Sequence, residues 1–159
     1  LYFETGGKVI EPLDIDGLPL VIGYSGVKAD TVTLLNQVSE LSNKHPEMVE
    51  GIYNQMRDLV EKAKVAILAK NLKELGHLMT KDQGLLKKLG VSTGKLDAMV
   101  GVSCEAGAYG AKLSGAGGGD CMIALVDKQT ETVVQRQVEQ KGGEIIYVAT
   151  GVEGVRTEK

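Results

Sequence analysis

The alternation of apolar and polar positions near the start of the chain predicts a β-hairpin. The segments 2–4 and 8–13 mix apolar with polar residues and flank the glycine pair Gly6-Gly7. Glycine pairs favour the tight turns that connect antiparallel strands. We therefore predict a hairpin within residues 1–17, completed by a turn at 14–17.

A nearly continuous apolar run, Leu18 to Tyr24, comes next and ends at Ser25-Gly26. Short apolar runs bounded by turn residues are typical of strands that are buried on both faces. We therefore predict that this segment is a central strand of the sheet.

The region from residue 30 to about residue 107 has the apolar spacing of helices, with large apolar residues recurring every three or four positions. Residues suited to capping or to a first helical turn precede the apolar stripes. The four predicted helices begin at Asp30 or Thr31, at Pro46, at Asn71 and at Ser92. The first ends near His45, and the third and fourth end near Gly90 and Gly107.

The apolar period changes in the last third of the chain. We predict strands over 109–114 and 121–126, a helix over 130–140, a final strand over 144–150 and a tail over 151–159. The order is then strand, helices, strand, strand, helix, strand. This is a split βαβ, ferredoxin-like order with an elaborated helical first crossover, so we predict one α+β domain over the whole chain.

Composition and charge exclude several classes of partner. The net charge is -3 and no basic run is longer than Lys87-Lys88, so we expect no nucleic acid as a ligand. No apolar run approaches the roughly 20 residues of a membrane span, and no secretory leader is recognisable, so we expect no membrane partner and a cytoplasmic location. Cys104 and Cys121 fit neither a disulfide framework nor a zinc spacing, so we expect reduced thiols and no metal site.

The first residues, Leu1-Tyr2-Phe3, favour a strand, and no initiator methionine precedes them. We therefore expect the chain to be a fragment of a longer protein.

The most informative stretch is a glycine-rich segment between two predicted strands. Its residues are Ser114, Gly115, Ala116, Gly117, Gly118 and Gly119, followed by Asp120. Glycines permit positive φ and let backbone N–H groups turn toward an anion, so the segment suits the phosphate side of a nucleotide site. It is not a Walker A loop, because no Gly-Lys-Ser/Thr follows, and Asp120 occupies the last glycine of the dinucleotide fingerprint. A purely structural turn, or close packing of a helix, is the alternative.

Three stretches resemble a known kinase family. Residues 110–121, Gly-Ala-Lys-Leu-Ser-Gly-Ala-Gly-Gly-Gly-Asp-Cys, resemble the third signature motif of the GHMP kinases, the galacto-, homoserine, mevalonate and phosphomevalonate kinases. Residues 79–92 are similar to a mevalonate kinase pattern in which Gly-Leu-Leu is followed by Leu-Gly-Val-Ser. Residues 21–31 are similar to that group's strand, followed by Thr-Gly-Val and a hydroxyl residue that opens a helix. The order of these matches agrees with the predicted topology.

The resemblance implies the C-terminal domain of a GHMP kinase, most similar to the mevalonate kinases. It implies ATP-dependent phosphorylation of mevalonate to 5-phosphomevalonate in isoprenoid biosynthesis, with ATP and Mg²⁺ as cofactors. The family's nucleotide-cradling segment, Pro-x-x-x-Gly-Leu-Gly-Ser-Ser-Ala, its catalytic Asp and its substrate-facing Lys are absent from this sequence. They would belong to an N-terminal domain, so we expect no catalytic residue in this chain and no activity from the chain alone. A homodimer is left open.

Two residues beside the glycine segment are candidates for contact with phosphate or substrate. Thr31, at a predicted helix start, could touch a phosphate or the substrate carboxylate, and a plain capping role is the alternative. Asp120 could face phosphates only through Mg²⁺, since a bare carboxylate repels them, and we favour a capping role within its loop. Lys28 and Lys112 are the basic residues expected beside the site.

Asp120 also leaves the substrate open. Mevalonate kinases usually have Gly at this position, and Gly-Asp-Cys at the end of the motif resembles the phosphomevalonate kinases, which are the alternative. From another class, a ferredoxin-like module could bind a small regulatory ligand. For the glycine segment itself, we expect Gly117→Val to lower turnover strongly with little loss of stability.

Overall fold

A computed structural model describes residues 1–13, 15 and 17–148. The strands of this part of the chain are β1 (Tyr2–Phe3), β2 (Ile10–Glu11), β3 (Leu20–Tyr24), β4 (Gly110–Ser114), β5 (Cys121–Leu125) and β6 (Glu144–Ile146). Its helices are α1 (Thr31–Lys44), α2 (Pro46–Leu68), α3 (Leu72–Lys88), α4 (Gly94–Glu105) and α5 (Glu131–Gln140).

Four strands form one antiparallel sheet in the order β4-β5-β3-β6. Strand β3 lies inside the sheet, with β5 on one side and β6 on the other, as its continuous apolar run predicts. Counted from β3, the strand order is that of the ferredoxin-like split βαβ, and helices α1 to α4 form the elaborated crossover between β3 and β4. The predicted fold class is confirmed.

Polar side chains determine where three of the helices begin. Asp30, Asn71 and Thr93 each accept a hydrogen bond from the backbone N–H three residues further on. Each bond satisfies a donor that the first helical turn leaves free. The predicted start of the fourth helix at Ser92 is wrong, because Thr93 caps it and the Ser92 hydroxyl donates to Asp97 instead.

The core lies between the sheet and the helices α4 and α5. Met99 from α4, Met122 from β5 and Val138 from α5 are fully buried there. Burial of each such side chain stabilises the fold by about 2 kcal/mol relative to exposure in water. Gly23 in β3 leaves room for them, because an added Cβ would lie 2.7 Å from Val138 Cγ1. The apolar stripes of the helices therefore meet the sheet as the sequence pattern predicts.

Helix α3 packs closely against the edge strand β4. A Cβ added to Gly76 or to Gly110 would lie within 2.3 Å of backbone atoms of the facing segment, so only glycine permits this approach. The contact covers a sheet edge that would otherwise be exposed. It also places Gln83 of α3 beside the end of β4, where it accepts a hydrogen bond from the Leu113 N–H at 2.8 Å.

Strands β1 and β2 form a separate hairpin that lies on α2. Lys64 of α2 pairs with Glu11, and its Nζ lies 4.3 Å from the centroid of the Tyr2 ring. The hairpin strands are shorter than predicted. Residues 4–9 form the connection, so it is longer than a two-residue turn at Gly6-Gly7.

The final strand is also shorter than predicted, since β6 ends at Ile146 and residues 147–148 follow without strand structure. Residues 149–150 of that predicted strand, the predicted tail over 151–159 and two residues of the turn at 14–17 lie outside the described residues. Within the described ranges, no helix combines the length and the hydrophobicity that crossing a membrane requires.

Candidate functional site

Two loops meet at one edge of the four-stranded sheet. The β3–α1 loop, residues 25–30, follows the end of β3, and the glycine loop, residues 114–120, joins β4 to β5. Cys121 at the start of β5 pairs with Tyr24 of β3 and with Ser114 of β4. The register of the sheet therefore brings the two loops to the same edge.

Asp120 connects the two loops. Its backbone N–H donates to the Val27 carbonyl at 2.7 Å, and its carbonyl accepts from the Ser25 N–H at 2.8 Å. Its carboxylate accepts from the Ala29 N–H at 3.3 Å. Asp120 has φ 53°, a left-handed conformation that Asp tolerates better than most residues. Its carboxylate thus caps the neighbouring β3–α1 loop, whereas the prediction placed this bond within the glycine loop.

The last three glycines of the glycine loop are enclosed by neighbouring segments. Their φ values are 87° at Gly117, 71° at Gly118 and 155° at Gly119. An added Cβ would lie 2.2 Å, 2.6 Å and 2.5 Å, respectively, from the nearest atom of another segment. At Gly117 that atom is the Val91 carbonyl oxygen. The expectation that Gly117→Val would leave stability nearly intact is therefore wrong, because the new side chain would overlap a backbone carbonyl.

The same loop contains several backbone donors without a described protein acceptor. Among the described residues, no protein acceptor receives the backbone N–H groups of Gly115, Ala116, Gly117 and Gly119. Gly118, in contrast, donates to the Val91 carbonyl at 2.7 Å. Gly115 is exposed, and an added Cβ there meets nothing within 4 Å. Successive N–H groups in a turn can form a concave site for anions, but Gly117 and Gly119 are buried and only Gly115 is fully exposed here.

Helix α1 begins where the β3–α1 loop ends. Asp30 is its N-cap and accepts from the Thr33 hydroxyl at 2.7 Å and from the Thr33 N–H at 3.2 Å. These bonds, the hydroxyl first, lower the pKa of Asp30. Thr31 is the first helical residue and is exposed, and its hydroxyl has no partner in the part of the chain that the structure describes. The alternative role of Thr31 as the helix cap is therefore wrong, and its hydroxyl is available to a ligand.

The basic residues at this edge differ from the predicted pair. Lys28 is exposed in the β3–α1 loop, but Lys112 pairs with Asp82 of α3 at 3.1 Å. Lys95, in the first turn of α4, was missed: a Cβ added to Gly26 would lie 3.7 Å from its Nζ. Within the described ranges, Lys95 has no ion-pair partner. No local motif marks Lys95, because its contact with Gly26 joins residues that are distant in sequence.

A divalent metal ion finds few ligands here. In the described part of the chain, no group of three or more His, Cys, Asp and Glu side chains could hold a metal ion. The carboxylate of Asp120 already accepts a hydrogen bond from Ala29. The described residues therefore form no metal site made of protein ligands alone, and no step is assigned to a metal ion in this chain.

Known proteins resemble this chain over most of its length. Residues 63–144 match the family model described as "GHMP kinases C terminal". A mevalonate kinase of Thermococcus sibiricus is 43% identical over 164 residues, which cover 99% of this chain and 48% of that protein. A mevalonate kinase of Pyrococcus horikoshii is 42% identical over 164 residues, which cover 100% of this chain and 48% of that protein. The chain thus spans about half the length of these relatives.

Solved structures share the fold. The crystal structure of L. major mevalonate kinase in complex with R-mevalonate aligns with a TM-score of 0.81 and 28% identity, over 87% of this chain and 43% of that chain. The phosphomevalonate kinase of Streptococcus pneumoniae aligns with a TM-score of 0.70 and 23% identity, over 80% of this chain and 38% of that chain. At that lower identity, the likeness shows the fold alone.

Proposed function

Because the chain belongs to the family of GHMP kinase C-terminal domains, we propose that it is the C-terminal part of a mevalonate kinase. The proposed reaction is ATP-dependent phosphorylation of the primary hydroxyl of mevalonate to 5-phosphomevalonate, a step of isoprenoid biosynthesis. The observation that supports this substrate is the similarity to mevalonate kinases along almost the entire chain.

In this proposal the glycine loop faces the phosphates of ATP. Phosphoryl transfer depends mainly on positioning and on stabilising the charge of the transferred group. The loop offers backbone N–H donors that no described protein group uses, and the contacts of Gly117, Gly118 and Gly119 with neighbouring segments fix their direction. A loop that is already held in place loses little entropy when it binds a ligand.

The start of α1 and two lysines supply the remaining contacts from this chain. The first turn of a helix attracts anions, and the exposed Thr31 hydroxyl can donate to a phosphate or to the carboxylate of mevalonate. Lys28 and Lys95 add positive charge at the same edge of the sheet. Together, Thr31, Lys28 and Lys95 favour an anionic phosphoryl acceptor next to the glycine loop.

The rest of the reaction is assigned to residues outside this chain. We propose an N-terminal domain that carries the base for the acceptor hydroxyl, the substrate-facing lysine and the main nucleotide loop, in a cytoplasmic protein. Mg²⁺ bound to ATP would neutralise phosphate charge. Its protein ligands would also come from that domain, because the residues described here do not form a metal site.

Phosphomevalonate is the second candidate substrate, and the identity of Asp120 favours it. The geometry weakens this argument, since the Asp120 carboxylate accepts the Ala29 N–H and thereby serves the contact between two loops. An additional phosphate would bring about two more negative charges to that carboxylate. We therefore favour the unphosphorylated substrate.

The test compares both substrates in the complete protein and in the 159-residue chain. With ATP and Mg²⁺, the complete protein should phosphorylate mevalonate with a kcat/KM at least about tenfold above that for phosphomevalonate, or about 1.4 kcal/mol. The chain alone should transfer phosphate to neither. Preference for phosphomevalonate would refute the substrate assignment, and no transfer by the complete protein would favour the regulatory module.

A further inference from the structure

A buried glutamine links the end of β4 to the segment before α4. Gln83 on α3 is only 4% exposed. Its Oε1 accepts from the Leu113 N–H at 2.8 Å, and its Nε2 donates to Ser92 Oγ at 3.0 Å and to Asp97 Oδ1 at 3.1 Å. A buried amide with both donors and its acceptor in use is held in one orientation.

Asp97 anchors this network from α4. Its Oδ1 also accepts from the Ser92 hydroxyl at 2.7 Å, and its Oδ2 pairs with Lys87 at 3.0 Å. Burial would raise the pKa of Asp97, but the hydrogen bonds from Ser92, Lys87 and Gln83 together outweigh it and lower the pKa. Asp97 is therefore ionised at neutral pH, and charged acceptors make the stronger hydrogen bonds.

The network reaches the glycine loop at two points. Leu113, which donates to Gln83, is the last residue before the loop. Val91, which precedes Ser92, accepts the Gly118 N–H at 2.7 Å in the middle of the loop. The start and the middle of the loop are thus both supported from the same buried cluster.

We propose that Gln83, Ser92 and Asp97 are positioning residues for the glycine loop. They hold the end of β4 and the Val91 carbonyl in place, and through these two backbone groups they fix the direction of the loop's free N–H donors. This inference rests on the proposed function of the loop in binding ATP phosphates. A displacement of about 1 Å in a supporting group can reduce catalysis about 100-fold, so loss of the network should be visible in kinetics.

The same helix provides a matched control. Asp82, next to Gln83 in α3, pairs with Lys112 of β4 at 3.1 Å. This ion pair also joins α3 to β4, but in the described part of the chain Asp82 makes no hydrogen bond to the glycine loop or to residues 90–92. Asp82→Asn therefore reports what a general loosening of the helix-to-strand contact does.

The first experiment measures kcat and the KM for ATP in variants of the complete protein. We expect Asp97→Ala to lower kcat/KM for ATP about tenfold, mainly through KM, while the KM for the acceptor changes little. Asp97→Asn keeps an oxygen acceptor for Ser92 and Gln83 and should recover most of the loss. Asp82→Asn should stay within about twofold of the unsubstituted protein.

The second experiment follows amide hydrogen exchange in the same proteins and does not depend on kinase activity. In Asp97→Ala the Gly118 amide should exchange about tenfold faster than in Asp82→Asn, because the Val91 carbonyl is no longer held. Ser92→Ala, which keeps the charge of Asp97, tests the same point if Asp97→Ala does not fold. Equal exchange of Gly118 in the network variants and in Asp82→Asn would overturn the inference. Absence of kinase activity in the unsubstituted protein would instead overturn the proposed function.

Discussion

Among the described residues, two glycine-rich connections between strands differ in what surrounds them. In the hairpin, Gly6 and Gly7 have φ values of 89° and 69°, but an added Cβ would meet no atom closer than 3.9 Å. In the glycine loop, Gly117 has a similar φ of 87°, and an added Cβ would lie 2.2 Å from the Val91 carbonyl oxygen. The hairpin needs glycine only for its own backbone. The glycine loop needs it also because other segments pack directly against it.

The two connections also differ in where the partners of their hydrogen bonds lie. The backbone bonds that hold the hairpin connection stay within it, since Gly7 donates to the Glu4 carbonyl at 2.9 Å and Glu4 donates to the Val9 carbonyl at 3.0 Å. In the glycine loop, several N–H groups have no acceptor among the described residues, and neighbouring segments hold the backbone in place. Support from neighbouring segments fixes the direction of donors that can face an anion, and glycine content alone does not distinguish the two cases.

The largest effect is expected on stability, from Gly117→Ala compared with Gly6→Ala in the 159-residue chain. Both variants place a methyl group at positive φ, which costs about 1 kcal/mol. At Gly117 the methyl group also overlaps the Val91 carbonyl, so we expect a total loss of about 3 kcal/mol or more. Urea unfolding followed by circular dichroism measures both, and equal losses would remove the distinction between the two connections.

Most of the fold was predictable because the patterns that specify it are local. The apolar run of β3, the stripes of the helices and the cap Asn71 all act within a few residues, and the structure contains them as predicted. Of the two alternatives predicted for the cap of α1, the structure has Asp30. The hairpin and the final strand were predicted too long. Strand length depends on the partner strand, and β6 pairs with β3 over only three residues, which a linear pattern does not specify.

Only the local motif of the site was predictable from the sequence. The glycine loop and Thr31 are recognisable from neighbouring residues along the chain. The bond from Ala29 to Asp120, the position of Lys95 beside Gly26 and the support by Gln83 join residues that are distant in sequence. Such contacts arise from packing, so a pattern in a single sequence does not reveal them.

A smaller effect, on kcat/KM, is expected from removing a positive charge beside the β3–α1 loop. In the complete protein, Lys95→Gln should lower kcat/KM about tenfold, because it removes an unpaired cation beside the β3–α1 loop. The control is Lys73→Gln, because Lys73 is exposed in the first turn of α3. That turn lies about 20 Å or more from the other end of the helix, which precedes Val91. Steady-state kinetics should show the loss only for Lys95. Equal effects of both variants would mean that overall charge, not position, determines the rate.

The smallest effect is a pH dependence of stability that comes from Asp97. Its pKa in the folded chain is lowered from the ordinary value of 3.8. Such a carboxylate stabilises the folded state above its unfolded pKa and loses this contribution as the pH falls through the folded pKa. The difference in unfolding free energy between the unsubstituted chain and Asp97→Asn should stay constant from about pH 8 to about pH 6 and shrink below about pH 4. A difference that grows on acidification would contradict the lowered pKa.

The most direct test of the central claim measures single amides of the glycine loop in the complete protein by NMR, during titration with a non-hydrolysable ATP analogue. The loop donors without described protein acceptors are Gly115, Ala116, Gly117 and Gly119. Their amide resonances should shift more than those of Gly118 and Asp120, which already donate to Val91 and Val27. The amides of Gly6 and Gly7 in the hairpin should not move. Shifts in the glycine loop no larger than those in the hairpin would contradict the assignment of this loop to the phosphates of ATP.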